Sequence, residues 1–322
     1  MGIQRHVHAS VDLLPPGNGV TIYSQDLAVG IHAASVADLR GDFEFLEGFV
    51  KRLVEPEDSI LLVTESDVPA AAGLGGSAAL GVAIVAAIDQ AYGRTRKPAE
   101  VAALANEIER KDLGYPGGDQ DSYGAALGGI HRLECRLGAG QTIPHRIAVP
   151  DATHLTLEQQ SLLIYTSEAH VSGDIHQDIK DSYALENSPT LDAMMQLRDA
   201  ASRMSEALEE GSLDGYVDAL NTSSRNLYRL HPSCDSEAHR RCFEELGDCI
   251  LGGKTCGAGG GGFLLVYAAP GRRMDCIRKA EALGASVWPF RIDFEGVRQW
   301  SERPTSPGEV ERFRELAKKP SP

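Results

Sequence analysis

Alternating apolar and polar residues open the chain. One such run spans residues 7–13, and a second follows at 20–24 after the turn sequence Pro15-Pro16-Gly17-Asn18-Gly19. Period-two alternation predicts strands, and a glycine-rich turn between two of them favours antiparallel pairing. We therefore expect the chain to begin with a β-hairpin.

Helix-like and strand-like patterns then follow each other to about residue 300. Apolar residues at helical spacing predict helices at 46–53, 78–88, 98–112, 190–210, 213–229 and 272–283. Short apolar runs predict strands at 59–64, 129–135, 161–166, 263–268 and 286–292. The segment 78–88 is the longest apolar helix, and it is too short to span a bilayer, so we expect it to be a buried core helix.

This order of elements predicts an α+β fold with two domains. The polar segment 156–160 precedes a predicted strand, and we place a domain boundary there, which gives an N-terminal domain at 1–158 and a C-terminal domain at 159–300. Several prolines follow residue 300. They predict that residues 301–322 form a tail with a peripheral helix and a loose end.

The composition is ordinary for a soluble enzyme, but the charge is not neutral. The chain has 322 residues, of which 42% are hydrophobic and 24% charged, enough for two cores. Asp and Glu number 46 against 31 Lys and Arg, which gives a formal charge of -15. That charge argues against sequence-independent binding to nucleic acid or to an anionic membrane. Anionic ligands must therefore be held by local devices.

Cysteine, histidine and arginine add little chemistry of their own. The six cysteines form no C-x-x-C pair and the chain starts without a signal segment, which favours a reducing cytoplasm. Histidines do not stand at zinc-ligand spacing, so four are interpreted as surface or loop residues: His170, His176, His231 and His239. Four arginines are interpreted as helix-surface residues, with binding of a distal substrate phosphate as the alternative: Arg225, Arg229, Arg240 and Arg241.

A glycine-rich turn joins the predicted strand at 59–64 to the helix at 78–88. It contains the sequence Gly73-Leu74-Gly75-Gly76-Ser77. Backbone N–H groups and the helix dipole at such a turn bind anions, and a serine hydroxyl can coordinate Mg²⁺ beside phosphates. The alternative is an ordinary glycine turn capped by Ser77. Taken alone, the motif gives phosphate binding partial support.

A second glycine-rich loop, Gly117–Gly124, carries two acidic residues, Asp119 and Asp121. If this loop faces the phosphate-binding turn, one carboxylate can accept a hydroxyl proton. Glu109, on the preceding helix, could then hold the metal. Ordinary turn aspartates are the alternative, and only position in the fold can decide between the two.

A third glycine stretch precedes the predicted strand at 263–268. Three of its glycines satisfy G-x-G-x-x-G: Gly257, Gly259 and Gly262. A dinucleotide site requires a helix at that point, so we reject it. Gly252–Thr255 resembles the end of a P-loop, but Gly247 lies one residue too far upstream, and we reject that too. The remaining interpretation is close approach of backbone to a ligand or another loop.

In order, type and spacing these three stretches resemble the signature regions of GHMP kinases. Glu109-Arg110, the Gly-Gly-x-Gln-Asp loop and the Gly-Ala-Gly-Gly-Gly-Gly-Phe loop are most similar to those of D-glycero-D-manno-heptose 7-phosphate 1-kinases and neighbouring sugar 1-kinases. The resemblance covers residues 3–300. It implies the GHMP kinase fold, with an N-terminal domain like the second domain of ribosomal protein S5 and a ferredoxin-like C-terminal domain.

The resemblance also implies a role for each motif residue, with ATP and Mg²⁺ as cofactors. The residues that would contact the ATP phosphates are Gly73, Leu74, Gly75, Gly76, Ser77 and Ala78. Ser77 and Glu109 would be metal ligands. Asp121 would be the catalytic carboxylate, because the family's Gln-Asp pair matches Gln120-Asp121. Substrate contacts fall on Asp119, Gln120, Gly257, Ala258, Gly259, Gly260 and His170.

The chain departs from the family pattern in three places. GHMP kinases begin with a strand bearing Pro-x-Arg and a Gly-Gly-x-x-Asp segment, and this sequence starts just after it. Either upstream residues are omitted, or part of the acceptor site and one core strand are lost. His170 stands near an arginine of the heptose kinases, which indicates a shifted substrate. Gly76 replaces the first Ser of Gly-Leu-Gly-Ser-Ser, a harmless change.

The function implied by the resemblance is phosphorylation of the anomeric hydroxyl of a heptose 7-phosphate or a similar sugar phosphate, such as an octose 8-phosphate, for nucleotide-sugar synthesis. Free sugars of the fucose or galactose type and mevalonate-type alcohols are alternative acceptors. A non-catalytic sugar- or nucleotide-binding relative is the alternative class, motivated by the missing first motif. We expect a cytoplasmic protein whose partner is a small sugar phosphate, with neither nucleic acid nor membrane as a partner, and a homodimer is compatible with this picture.

Overall fold

The computed structural model describes residues 1–136, 141–166, 172–183 and 189–318. Its strands are β1 (Val7–Leu14), β2 (Val20–Ser24), β3 (Val29–Ala33), β4 (Ser59–Ser66), β5 (His131–Arg136), β6 (Gln141–Arg146), β7 (Ser161–Tyr165), β8 (Ile250–Thr255), β9 (Phe263–Ala268) and β10 (Ser286–Pro289). Its α-helices are α1 (Glu44–Leu53), α2 (Gly76–Ala91), α3 (Pro98–Glu107), α4 (Gln120–Leu127), α5 (Asp151–Gln160), α6 (Ser172–Tyr183), α7 (Pro189–Glu210), α8 (Leu213–Leu230), α9 (Glu237–Leu246), α10 (Arg273–Ala282) and α11 (Pro307–Ala317). A single π-helical turn, Ile108–Asp112, directly follows α3.

The chain forms two compact units, each assembled from separate stretches. Unit 1 comprises Met1–Gln4, Ala70–Gly75 and Gly129–Phe294. Unit 2 comprises Arg5–Pro69, Gly76–Gly128 and Glu295–Pro322. A compact unit is a set of residues that lie close together, whereas a domain is a part of the chain that can fold alone. The domain boundaries predicted at residues 158 and 300 therefore stay predictions.

The sheet of unit 2 shows that the predicted opening hairpin is wrong. Its strand order is β1-β4-β2-β3, so β4 lies between β1 and β2. β4 pairs antiparallel with β1 and parallel with β2. The reason is burial: residues 59–64 are all buried, and a strand that is apolar on both faces takes the centre of a sheet. The hairpin that does form is β2–β3, and β3 was not predicted.

Both faces of this sheet are covered. Ile22 lies opposite Leu62 in the register and Tyr23 opposite Val63, so successive pairs point to opposite faces. Leu61 and Val63 form a buried cluster with Val310 of α11, and Leu14 and Phe313 pack against it. α2, which lies against β1 and β4, is buried along much of its length, as its predicted role as a core helix requires.

The helix predicted in the C-terminal tail is present as α11. The prediction that it is peripheral is wrong, because one side of the helix is buried. Val310 and Ala317 are buried, and the Tyr23 and Phe313 rings lie 5.6 Å apart between centroids. The side chain of Ser306 caps α11 by accepting a hydrogen bond from the backbone N–H of Glu309. The Glu309 carboxylate in turn accepts one from the backbone N–H of Ser306. The helix was judged peripheral because of the surrounding prolines, yet its apolar residues complete the core of unit 2.

Unit 1 contains an antiparallel sheet of order β10-β7-β9-β8 and a separate β5–β6 hairpin. Along the chain, helices connect β7 to β8 and α10 connects β9 to β10, which is the ferredoxin-like arrangement that was expected. The predicted strand at 263–268 coincides with β9. The polar segment at 156–160, interpreted as an interdomain stretch, is instead the last part of α5.

Candidate active site

In unit 1 the first and third glycine motifs lie against each other. The backbone N–H of Phe263 donates to the carbonyl of Ala72 at 3.0 Å. A Cβ atom on Gly73 would lie 2.9 Å from the carbonyl oxygen of Cys256, and one on Gly257 would lie 3.0 Å from the Cα of Gly73. Contacts this short leave no room for side chains, so both positions require glycine. The interpretation of the third stretch as a place of close backbone approach is confirmed.

Two further glycines of the third loop are required by backbone geometry. Gly259 and Gly262 have φ values of 101° and 82°, a region that other residues rarely adopt. A Cβ on Gly259 would also collide with the carbonyl of Cys234, and one on Gly262 with the carbonyl of Ala72. The loop is therefore fixed both to the first glycine turn, at Ala72, and to the short helical turn that ends at Cys234.

The rejection of two nucleotide-binding motifs is confirmed. Residues 250–255 form strand β8, so Gly252–Thr255 is extended and does not lead into a helix as a P-loop must. The G-x-G-x-x-G pattern ends at Gly262 and leads into β9. A dinucleotide fingerprint would lead into a helix instead.

Unit 2 brings three predicted residues together, Ser77, Glu109 and Asp121. Ser77 lies in the first turn of α2, Glu109 in the π-helical turn and Asp121 in the first turn of α4. Burial raises the pKa of Glu109 above its usual 4.5, the charge of Asp121 raises it further, and a hydrogen bond with Ser77 opposes both effects. These interactions place a hydroxyl and two carboxylates near the helix start that follows Gly75.

The chemistry of these side chains is compatible with a magnesium ion. Mg²⁺ prefers hard oxygen ligands and is usually bound by one or two carboxylates together with phosphate oxygens and water. Ser77 and Glu109 supply such oxygens, and Asp121 adds negative charge. Within the described ranges no group of three His, Cys, Asp or Glu side chains could hold a metal by itself.

The two aspartates of the second loop have different surroundings. Asp119 forms an ion pair with Arg110 at 3.2 Å, and its side chain is 22% exposed. Gln120 begins α4, and its amide lies so close to Gly118 that a Cβ there would collide with it. The buried side chain of Asn106 donates to the carbonyl of Gly118 at 3.1 Å. Asn106 thus fixes the loop that leads to Asp121, a role that its sequence position did not reveal.

The remaining predicted residues have mixed outcomes. The four arginines are exposed on α8 and α9, as expected, and Arg229 pairs with Asp192 at 2.7 Å. Arg225 lines a shallow pocket of about 250 Å³ beside β8. His239 is fully buried, so its interpretation as a surface or loop residue is wrong. Ala258 packs against a core cluster of unit 1, whereas His170 lies outside the described residues.

Sequence periodicity could have revealed the burial of His239. His239, Cys242 and Leu246 are the buried residues of α9 and follow the spacing i, i+3, i+7. This is the spacing of one helix face, so the pattern placed the histidine on the core side of the helix. Histidine is polar, and for that reason the helical spacing was not used to predict that His239 is buried.

The fold and these loops define a class, the small-molecule kinases with a glycine-rich phosphate turn. A model of the GHMP kinases N terminal domain matches residues 44–129. The chain is 30% identical over 252 residues to D-glycero-alpha-D-manno-heptose 7-phosphate kinase from Campylobacter jejuni, covering 78% of this chain and 74% of that protein. This chain belongs to the GHMP kinases, which are ATP-dependent, and is a sugar kinase of that family.

Two other similarities agree with this assignment. The chain is 29% identical over 214 residues to L-fucokinase/L-fucose-1-P guanylyltransferase from Bacteroides fragilis, covering 66% of this chain and 22% of that longer protein. The crystal structure of a D-glycero-D-manno-heptose 1-phosphate kinase from Bacteroides thetaiotaomicron has the same fold, with a TM-score of 0.74, 24% identity and coverage of 93% of this chain and 89% of that one. No helix in the described part of the chain is long and apolar enough to cross a membrane.

Proposed function

We propose that this kinase transfers the γ-phosphate of ATP to the anomeric hydroxyl of a heptose 7-phosphate or a similar long-chain sugar phosphate, such as an octose 8-phosphate. The observation that carries the proposal is the 30% identity to a heptose 7-phosphate kinase, together with the Ser77, Glu109 and Asp121 cluster. The product, a sugar with an anomeric phosphate, is the type of compound that nucleotide-sugar synthesis consumes.

The chemistry follows from the residues of each loop. Phosphoryl transfer has a loose, highly charged transition state, so positioning and charge stabilisation dominate its catalysis. The backbone amides of Gly73–Ala78 bind the phosphates. Ser77 and Glu109 would hold Mg²⁺, which would neutralise charge on the triphosphate. Asp121 orients the acceptor hydroxyl and takes its proton as the new oxygen–phosphorus bond forms and ADP leaves.

Substrate recognition is proposed for the second and third loops and for His170. Asp119, held by Arg110, and Gln120 offer hydrogen-bonding groups for sugar hydroxyls. The third loop, Gly257–Gly260, contributes backbone groups and steadies the phosphate-binding turn. His170 is proposed as a further substrate contact on the resemblance alone.

A panel of acceptors with ATP and Mg²⁺ tests the proposal. It contains heptose 7-phosphate, the same heptose without phosphate, L-fucose, galactose and mevalonate. We expect efficient turnover of the heptose 7-phosphate, and ³¹P NMR of the product should show a new phosphate on the anomeric carbon. Turnover of only the unphosphorylated sugars, or of mevalonate, would contradict the proposal.

A free sugar of the fucose type is the second candidate acceptor. The 29% identity to the fucokinase-containing protein of Bacteroides fragilis favours it, although this chain spans only 22% of that protein's length. The matched pair of heptose with and without its 7-phosphate separates the two candidates, because only the first requires recognition of a distal phosphate.

A further inference from the structure

A series of hydrogen bonds crosses the interior of unit 1 from α8 to the third glycine loop. The hydroxyl groups of Tyr228 and Thr255 lie 2.7 Å apart, and the Thr255 hydroxyl lies 3.1 Å from Nδ1 of His239. Nε2 of His239 lies 3.5 Å from the carbonyl oxygen of Gly262. His239 and Thr255 both have 0% exposure, so protein groups must satisfy their polar atoms.

Gly262, at the end of this series, contacts three residues from different parts of unit 1: His239, Thr166 and Ala72. Its carbonyl also accepts hydrogen bonds from the backbone N–H and the hydroxyl of Thr166, each at 3.1 Å. Its Cα lies so close to Ala72 that a Cβ would collide with the Ala72 carbonyl. A displacement of Gly262 must therefore displace the phosphate-binding turn Ala70–Gly75.

The polarity of the series fixes the tautomer of His239. The Gly262 carbonyl can only accept, so Nε2 must carry a proton. In a neutral ring Nδ1 is then an acceptor, and the Thr255 hydroxyl donates to it. Because the Thr255 hydroxyl donates to Nδ1, it accepts the hydrogen bond from the phenol of Tyr228. Every donor along the path then has an acceptor.

We propose that His239 is a positioning residue for ATP binding: as its Nε2–H tautomer it holds Gly262, and through Gly262 it fixes the turn Ala70–Gly75. The proposal rests on the proposed role of that turn in binding phosphates. An aliphatic residue would suit the buried face of α9 equally well as packing. The histidine instead places a polar ring between two hydrogen-bonding groups, Thr255 and Gly262.

Three variants of the full chain test this role. His239→Leu removes both ring nitrogens, and His239→Gln keeps an N–H donor near the position of Nε2. His154→Gln is the matched control, because the His154 ring contacts Phe294 at 5.4 Å between centroids and lies on α5 of the same unit. The dissociation constant of a non-hydrolysable ATP analogue with Mg²⁺ is measured by calorimetry, and the melting temperature is recorded for each variant.

The expected result is a change in affinity that depends on the donor. His239→Leu should weaken binding of the analogue about three- to tenfold, the factor that one net hydrogen bond supplies. His239→Gln should stay within about twofold of the unmodified protein, as should His154→Gln, because in each the Gly262 carbonyl keeps a donor. A merely structural histidine would instead lower the melting temperature of both His239 variants and leave the affinity unchanged.

A second measurement needs no variant at His239. Long-range ¹H–¹⁵N correlation spectra of the unmodified protein distinguish the two ring tautomers, and Thr255→Val should shift the Nδ1 resonance of His239. An Nδ1–H ring, or equal nucleotide affinity for His239→Leu and the unmodified protein, would overturn the proposal. Neither measurement uses a sugar, so a wrong sugar in the proposed function would leave these results standing.

Discussion

Asp121 and Asp119 stand two residues apart at the start of α4; the charge of Asp121 raises the pKa of Glu109, and Asp119 pairs with Arg110. We expect Asp121→Asn to lower kcat by about 10² to 10⁴, the usual contribution of a general base, with little change in ATP affinity. The side chain keeps its shape but loses its negative charge and its ability to take a proton. Steady-state kinetics with the best acceptor of the panel provides the measurement.

Asp119→Asn is the matched control in the same loop. It removes the ion pair with Arg110, so we expect a higher KM for the sugar and a kcat within about tenfold of normal. If Asp121→Asn kept a near-normal kcat while Asp119→Asn abolished activity, the roles of the two carboxylates would have to be exchanged.

The raised pKa of Glu109 leads to a second prediction at this scale. Above the usual pKa of 4.5, ionised Glu109 is disfavoured by burial and by Asp121 in the folded protein, so its ionisation costs folding free energy. Glu109→Gln should therefore raise the melting temperature of the metal-free protein at neutral pH. The gain should vanish near pH 4, where the unmodified side chain is protonated in both the folded and unfolded states.

Glu107→Gln is the control for this experiment. Glu107 ends α3 beside the π-helical turn, with a side chain 43% exposed and 3.9 Å from Lys111. Its replacement should leave the melting temperature nearly unchanged, because exposed ion pairs contribute little. An equal gain from both variants would mean that net charge, and not the burial of Glu109, causes the effect. A stabilised but inactive Glu109 variant would fit the usual conflict between stability and function at active sites.

Among the elements, α1 and α2 meet where Phe49 lies on Gly81. A Cβ on Gly81 would lie 2.6 Å from Cζ of Phe49, whose side chain is fully buried. Gly81→Ala gains about 1 kcal/mol of helix propensity, but overpacking costs about 1–3 kcal/mol. We expect a net loss of stability in urea unfolding, and Phe49→Leu should recover part of it in the double variant.

Gly308→Ala is the comparison for a helical glycine with free space. Gly308 lies in α11, and a Cβ there would meet nothing within 4 Å. The substitution should stabilise the protein by about 0.4–1 kcal/mol, because it reduces the entropy of the unfolded chain. Loss of stability in both glycine variants would show that helix context, and not Phe49, decides the result at Gly81.

The sequence predicted those elements whose residues carry a local signal. β4 and β9 were recognised by their apolar runs, and α2 by its length and composition. Strand order was not accessible, because whether β1 pairs with β2 or with β4 depends on which strand is buried on both faces. α5 was missed because only Thr153 and Leu157 are buried along it, too few to produce a helical period.

The candidate site was predicted to a similar extent. The motifs named Ser77, Glu109 and Asp121 as candidate site residues, and the structure brings these three together. Asn106, which fixes the loop before Asp121, is a polar residue on a helix, and no local pattern distinguished it from a solvent-facing one. Its role depends on burial, which tertiary packing decides.

For the whole molecule, the C-terminal helix α11 completes the core of unit 2. A chain truncated after Glu302 would lose the cover over Leu61 and Val63. We expect a lower melting temperature and strong binding of a hydrophobic fluorescent dye, because contiguous apolar surface would be exposed. Phe313→Ala should cost up to about 3 kcal/mol, since it removes part of the same contact.

A surface substitution on the same helix provides the control. Glu311 pairs with Arg314 at 2.8 Å and is 53% exposed, so Glu311→Gln should change stability by less than about 0.5 kcal/mol. Dye binding by the truncated chain that did not exceed that of the full chain would show that the sheet is not covered by α11 in solution.

The placement of α11 also bears on how the protein is made. Arg314 donates a hydrogen bond to the backbone of Asn18, a residue that lies 296 positions earlier in the chain. At about 5–20 residues per second of translation, roughly 15–60 s separate the synthesis of the two partners. During that interval one face of β2 and β4 has no cover within unit 2, and it presents Leu61 and Val63 to the surroundings. A nascent chain therefore exposes this apolar face until α11 has been translated, and we expect chaperones to bind it during that interval.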